Sequence, residues 1–184
     1  MDSLDGTQDF LDKTGEFAVM IGLSEKGKAV FGFVYMPTED KLYYAEKGKG
    51  AFVQKGGSDP HAIHVSSQSD IKKAKLVVSR SHISKRIEEA AEKLNVGKMV
   101  KCGSNGVKMS LIAEGKADLF FNPTDKLGQW DCCAPHIIVE EAGGMVTGIR
   151  GEDIIYNEKS EKNPFGLAVS NGKLHNRVIT VFEQ

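Results

Sequence analysis

A layered α/β (α+β) domain, in which an antiparallel sheet precedes alternating strands and helices, is the fold class that the sequence predicts. Three observations carry that expectation. Short β-branched and aromatic runs broken by Gly/Lys turns fill the first third of the chain. From Ala74 onward, strand-like runs alternate with segments whose apolar residues recur at the helical period. Finally, 184 residues with 40% hydrophobic content suffice for one core. With no internal repeat, low-complexity tract or composition shift, residues 1–184 read as a single domain.

The first strands are Ala18–Leu23 and Ala29–Tyr35, two apolar runs separated by the turn-like Ser24-Glu-Lys-Gly-Lys28. Lys41–Ala45 and Gly50–Gln54 continue the meander across Lys47-Gly-Lys-Gly50. Beyond the polar loop at Gly56–Pro60, Ala74–Ser79 reads as a strand, and Ile83–Leu94 as a helix with Ile83, Ile87, Ala90, Ala91 and Leu94 on one face. The same reasoning predicts strands at Met99–Cys102, Ala117–Phe121, Met145–Thr147 and Gly166–Val169. Helices are expected over Gly106–Ala113, Gln129–Ala142 and Leu174–Phe182. Gly143-Gly144 sits where a left-handed cap would end the helix before it.

A net charge of -1, from 24 basic and 25 acidic residues, gives no electrostatic footing for nucleic-acid polymers or a membrane surface. No run approaches the roughly 18 apolar residues of a membrane span, and the acidic start lacks the basic and apolar parts of a signal peptide. A cytoplasmic protein is expected. Cys102, Cys132 and Cys133 are odd in number and lack zinc or thioredoxin spacing, so reduced thiols are expected.

Chemistry concentrates in four places. In Asp2-Ser-Leu-Asp5-Gly6-Thr7 an extended segment can offer two carboxylates to one hard cation, while Gly6 permits a sharp turn. The amides that follow it would make an anion site beside that cation. A solvated Asp/Gly turn is the plainer alternative. Asp131, after Trp130, falls in the first turn of the expected 129–142 helix, where it serves equally as a helix cap or as a ligand group. Gly103-Ser-Asn-Gly-Val-Lys108 is a turn into a helix whose lysine could reach an anion, or an ordinary loop. His82, in Ser79-Arg-Ser-His82, reads as a surface histidine or a ligand contact.

Together, Asp2-Ser-Leu-Asp-Gly-Thr7 and Trp130-Asp131 followed by Glu141-Ala-Gly-Gly144 resemble the paired signatures of the inositol monophosphatase superfamily. Further stretches between them share the resemblance: Thr14–Leu23, Gly32–Pro37, Gly48–Phe52, Ser79–His82 and Leu111–Asp118. It implies a sugar-phosphatase-like fold and a magnesium-dependent, lithium-sensitive phosphatase. Within the superfamily, Gln8-Asp-Phe10, Gly15-Glu-Phe17, Ser-Arg-Ser-His and Trp130-Asp-x-Cys-Ala-Pro135 look most like 3′(2′),5′-bisphosphate nucleotidases, with an inositol monophosphatase as runner-up. The spacing from Gly103 to Lys108 is mixed between the two.

By position, the resemblance implies that Asp2, Asp5, Asp131 and the carbonyl of Leu4 bind Mg²⁺. Gly6 and Thr7 are implied phosphate contacts, with Asp5 and the Thr7 hydroxyl, which orients the attacking water, as catalytic groups. His82, Ser104 and Lys108 would lie near the nucleoside and its other phosphate. The partner implied is a small phosphate ester, a nucleotide bisphosphate or an inositol phosphate, and a homodimer is common in the family. Ser3 replaces the motif's usual proline. The resemblance also implies a chain matching about the C-terminal two-thirds of the family fold. In that case an upstream metal-binding glutamate and the acidic partner of the threonine hydroxyl are missing, one sheet face is left apolar, and an impaired enzyme or binding module becomes the competing expectation.

Overall fold

Alternating burial along the first strands shows how the meander is built. Its six antiparallel strands are β1 (Asp2–Asp5), β2 (Ala18–Glu25), β3 (Lys28–Met36), β4 (Lys41–Glu46), β5 (Ala51–Lys55) and β6 (His61–Ile63), in that spatial order. The computed structural model describes all residues except His82, Glu158, Lys159 and Gln184. On the inner face, Met20, Val34, Tyr43 and Val53 are buried; on the outer face, Ile21 and Leu23 are exposed and Phe33, Tyr44 and Phe52 half-buried. The outer face is therefore apolar.

A second, five-stranded sheet has the order β11-β13-β9-β7-β8. Here β7 (Lys75–Ser79) pairs parallel with both β8 (Lys98–Cys102) and β9 (Leu119–Asn122). β13 (Leu167–Ser170) and β11 (Met145–Thr147) extend it antiparallel. Helices α3 (Asn105–Ala113) and α4 (Cys133–Glu141) pack on each other, α4 across β2, β3 and β4, and α3 also against β9 and β13. They form the layer between the sheets. Helices α2 (Lys85–Leu94) and α5 (His175–Phe182) cover the far side of the second sheet.

Two cores follow from this layering. Val77 and Phe120 face the helices between the sheets, whereas their neighbours Leu76, Val78, Leu119 and Phe121 face α2 and α5. Large apolar side chains thus fill both sides of β7 and β9, which explains why their sequences are continuous rather than alternating apolar runs.

The structure revises the sequence-based elements in a few places. Asp2–Asp5 is a strand, edge-paired to β2, and a five-residue helix α1 (Thr7–Leu11) follows it. The expected 129–142 helix divides into a 3₁₀ turn at Gln129–Asp131 and α4, so Asp131 ends the turn instead of lying in the first turn of the helix. Strand β6 and the two-residue pair β10 (Leu127–Gly128) and β12 (Lys162–Asn163) were too short to leave a pattern. α2 begins two residues later than expected because the Ser84 hydroxyl accepts from the Ile87 amide and fixes the start. Gly143, at φ +89°, takes the anticipated left-handed conformation, and all three cysteines are free.

Helix and sheet approach closely at Gly22 and Gly32, which face each other across β2 and β3. A Cβ on Gly22 would lie 2.7 Å from the Ala134 nitrogen, and one on Gly32 2.3 Å from the Ala134 oxygen. The first turn of α4 rests directly on the strand backbones. Gly32→Ala is therefore expected to lower stability by about 1–3 kcal/mol, as overpacking does, and chemical denaturation should show it; an unchanged midpoint would mean the helix can shift without cost.

Candidate active site

Strand β1 brings the two N-terminal carboxylates to the edge of the first sheet. In a regular strand, residues three apart point to opposite faces, but the pairing of β1 with β2 is irregular between Asp2 and Asp5. Such a bulge re-aims side chains, and here both carboxylates turn toward Asp131. Ligand oxygens of Asp2, Asp5 and Asp131 lie within 4.8 Å of one another. Hard oxygen donors at this spacing suit a divalent cation such as Mg²⁺, so these residues fit the metal that the resemblance implies.

Without compensation three carboxylates would repel, and the surroundings supply part of it. The Asp5 Oδ2 atom accepts the Ser104 hydroxyl at 2.5 Å and the Gly106 amide at 2.7 Å. Burial nevertheless holds its carboxyl above the usual carboxylate range. Asp131 accepts the Gly128 amide at 2.8 Å. Its carboxyl is pushed up to about 6, first by burial and then by the charges of Asp5 and Asp2. Protons and metal ions thus compete for the same oxygens.

Beside Asp5 lies a cavity of about 220 Å³ lined by Gly6, Thr7, Ser79, Ser104 and Lys108 among others. The buried Lys108 ammonium donates to the Ser79 hydroxyl at 3.2 Å and sits 5.2 Å from the centre of the Phe120 ring. Burial lowers its pKa, with the Asp5 charge opposing. Ser79 and Ser81 also line a larger cleft of about 640 Å³, walled by Ile83, Ile87 and Phe120, so the two spaces adjoin. Gly6 has φ +87°, and a Cβ there would meet the Glu16 carbonyl oxygen at 2.9 Å. The Thr7 hydroxyl donates to the Leu4 carbonyl at 3.1 Å.

Of the residues singled out from sequence, Asp2, Asp5 and Asp131 come together as one cluster. Gly6, Thr7, Ser104 and Lys108 line one cavity with Asp5, and Leu4 is tied to Thr7. His82 lies outside the described residues. Sequence reasoning assigned no role to Glu16, Arg80 or the Gly22/Gly32 pair. For the glycines a signal existed, since glycine within a strand pattern marks close backbone approach.

Replacing Asp131 by Asn removes one of the crowded charges while keeping an oxygen for the Gly128 amide. In metal-free buffer near neutral pH, Asp131→Asn is expected to melt a few degrees above wild type, and Mg²⁺ should stabilise wild type alone. Equal responses to Mg²⁺ in both proteins, read by thermal melts, would show that the cation binds elsewhere.

The inositol monophosphatase family model matches residues 1–184. A 3′(2′),5′-bisphosphate nucleotidase 1 from Dictyostelium discoideum is 32% identical, the match covering 92% of this chain and 58% of that protein. The nucleotidase CysQ of Salmonella typhimurium is 36% identical over 86% of this chain and 62% of its own length. The chain therefore spans about six tenths of these relatives. Among solved structures, an IMPase from Thermotoga maritima superposes with a TM-score of 0.80 at 26% identity, covering 98% of this chain and 66% of that one. CysQ from Bacteroides thetaiotaomicron gives a TM-score of 0.79 at 30% identity, over 91% and 67%. Matched along its whole length and similar in fold, the chain belongs to the inositol monophosphatase family.

Proposed function

We propose that this chain acts as a Mg²⁺-dependent phosphomonoesterase that removes the 3′-phosphate of adenosine 3′,5′-bisphosphate or its sulfated analogue. The observation that carries this reading is the Asp2, Asp5 and Asp131 cluster placed against the cavity that holds Lys108. The relatives named above as bisphosphate nucleotidases support the substrate class. So does the larger cleft, whose apolar wall suits a nucleoside and whose neighbouring lysine suits a second phosphate.

Asp2, Asp5 and Asp131, with the Leu4 carbonyl, would hold Mg²⁺. When bound, the ion supplies Lewis-acid stabilisation of the phosphate and leaving oxygen and acidifies water. The remaining roles belong to the chain itself. With its own proton committed to Leu4, the Thr7 oxygen can still accept a hydrogen bond from the attacking water and so orient it. Backbone amides at Gly6 and Thr7 hold the phosphate, and Lys108 contributes fixed positive charge in a largely dry wall. Ser104 acts twice in this reading, lining the cavity and holding Asp5. His82 completes the substrate contacts implied by the family. Attack is direct and in line, with no covalent intermediate. Lithium sensitivity and a homodimer accompany this reading on the strength of family resemblance, and a cytoplasmic location on the composition of the sequence.

Inositol monophosphatase activity is the second reading, favoured by the fold match to the Thermotoga enzyme and by the Gly103–Lys108 spacing. A module that binds metal and nucleotide without turnover is the third. Phosphate release from adenosine 3′,5′-bisphosphate and from inositol 1-phosphate, with and without Mg²⁺, separates them. Release from the nucleotide is expected, falling about a hundredfold or more in Asp5→Asn and Asp131→Asn because the reacting groups lose their positioning. Preference for inositol 1-phosphate would establish the second reading, and nucleotide binding without release the third.

A further inference from the structure

Resting on the metal-site reading above, the geometry points to Glu16 and Arg80 as positioning residues that hold the carboxylate cluster through the Gly103-Ser104 turn. The chain of contacts is continuous. The Glu16 carboxylate accepts the Gly103 amide at 2.7 Å. It is itself gripped from just past the end of β7 by the Arg80 guanidinium, Nε at 3.1 Å and Nη2 at 2.6 Å. The next residue, Ser104, stands at φ 46°, ψ 132°, a conformation that residues other than glycine rarely adopt. From there its hydroxyl reaches Asp5, and its oxygen accepts the Val107 amide that starts α3.

Backbone held in so sparsely populated a region persists only where its surroundings over-determine it. Glu16 is one such determinant, and packing is another. A Cβ on Gly103 would sit 2.3 Å from the Asp9 carboxyl carbon, and one on Gly6 3.1 Å from Ser104 Cβ. The segments carrying Asp5, Glu16 and Ser104 therefore touch with no slack between them. Half-exposed ion pairs contribute little to stability, but a two-pronged Arg–carboxylate contact fixes orientation well. The role of the pair is thus to aim the Glu16 oxygen at Gly103. Released from it, the turn can relax toward ordinary backbone angles, withdrawing the Ser104 hydroxyl from Asp5.

The test uses Tb³⁺ as probe, since Trp130, the single tryptophan, adjoins Asp131 and can sensitise its emission. Partners behind metal ligands commonly govern affinity by about 10–100-fold. Glu16→Ala and Arg80→Ala are expected to bind Tb³⁺ about tenfold more weakly than wild type while melting at nearly the same temperature. Glu16→Gln, which keeps an oxygen for Gly103, should recover most of the affinity. Wild-type affinity in both alanine variants, with Asp131→Asn defective, would overturn the positioning role and leave the metal site standing. Should Glu16→Ala fail to fold, Arg80→Ala decides alone: weakened binding supports the role and unchanged binding overturns it. If wild type shows no saturable signal, or Asp131→Asn binds as well as wild type, the metal-site reading fails and the positioning role with it.

Discussion

Contact between the first turn of α4 and the bare backbones of Gly22 and Gly32 is the constraint on which the site depends. Asp131 lies just before that helix and Asp2 beside Met20 of β2, the two separated by most of the chain in sequence. They meet because α4 can lie directly on β2 and β3, with Ala134 filling the space that two Cβ atoms would otherwise take. Side chains at those two positions would push the start of the helix off the strands, and with it Asp131, which precedes it. Packing density, usually discussed as a matter of stability, here sets the geometry of the carboxylate cluster.

The electrostatics run against folding in the same place. Asp5 and Asp131 are both held above the usual carboxylate range, chiefly by burial. Folding therefore places negative charge where it is poorly solvated. The Ser104 hydroxyl and the amides of Gly106 and Gly128 offset part of this, and Lys108 faces Asp5 across the cavity wall. What is left uncompensated is the driving force with which a divalent cation would be taken up. A site of this kind stabilises the chain less than an apolar cluster would, which is the usual trade at functional positions.

Much of this was legible in the residues. The meander, the β7-α2-β8 alternation and the Gly143 cap follow from periodicity and turn chemistry, because each is decided within a few residues of itself. The clustered carboxylates were legible as motifs, though only their joint resemblance to one family joined residue 5 to residue 131. What escaped was decided at a distance. The break between the 3₁₀ turn and α4 depends on Asp131 reaching back to Gly128, and β6 exists because β5 offers it an edge. Glu16 looks like any exposed acid in a loop until Arg80 and Gly103, far along the chain, are set beside it.

The far end of α4 shows the same division between chemistry and scaffold. Glu141, from the second recognised motif, points at no ligand group; its two oxygens accept the Gly48 and Gly50 amides at 2.8 Å each and so tie the helix end to the β4-β5 turn. Gly144 that follows has no room for a Cβ, which would fall 2.7 Å from the Ser170 oxygen and lock against β13. The helix is thus pinned at its start by glycines in β2 and β3 and at its end by a carboxylate on the β4-β5 turn. Its position is set by the first sheet, whereas Ser79, Ser104 and Lys108 are carried by the second sheet and α3. Asp5 belongs to the first assembly by its strand and to the second by its hydrogen bonds from Ser104 and Gly106. Of the three clustered carboxylates it is the one hydrogen-bonded to both assemblies, and that is why the contacts reaching it through Gly103 matter more than their exposure suggests.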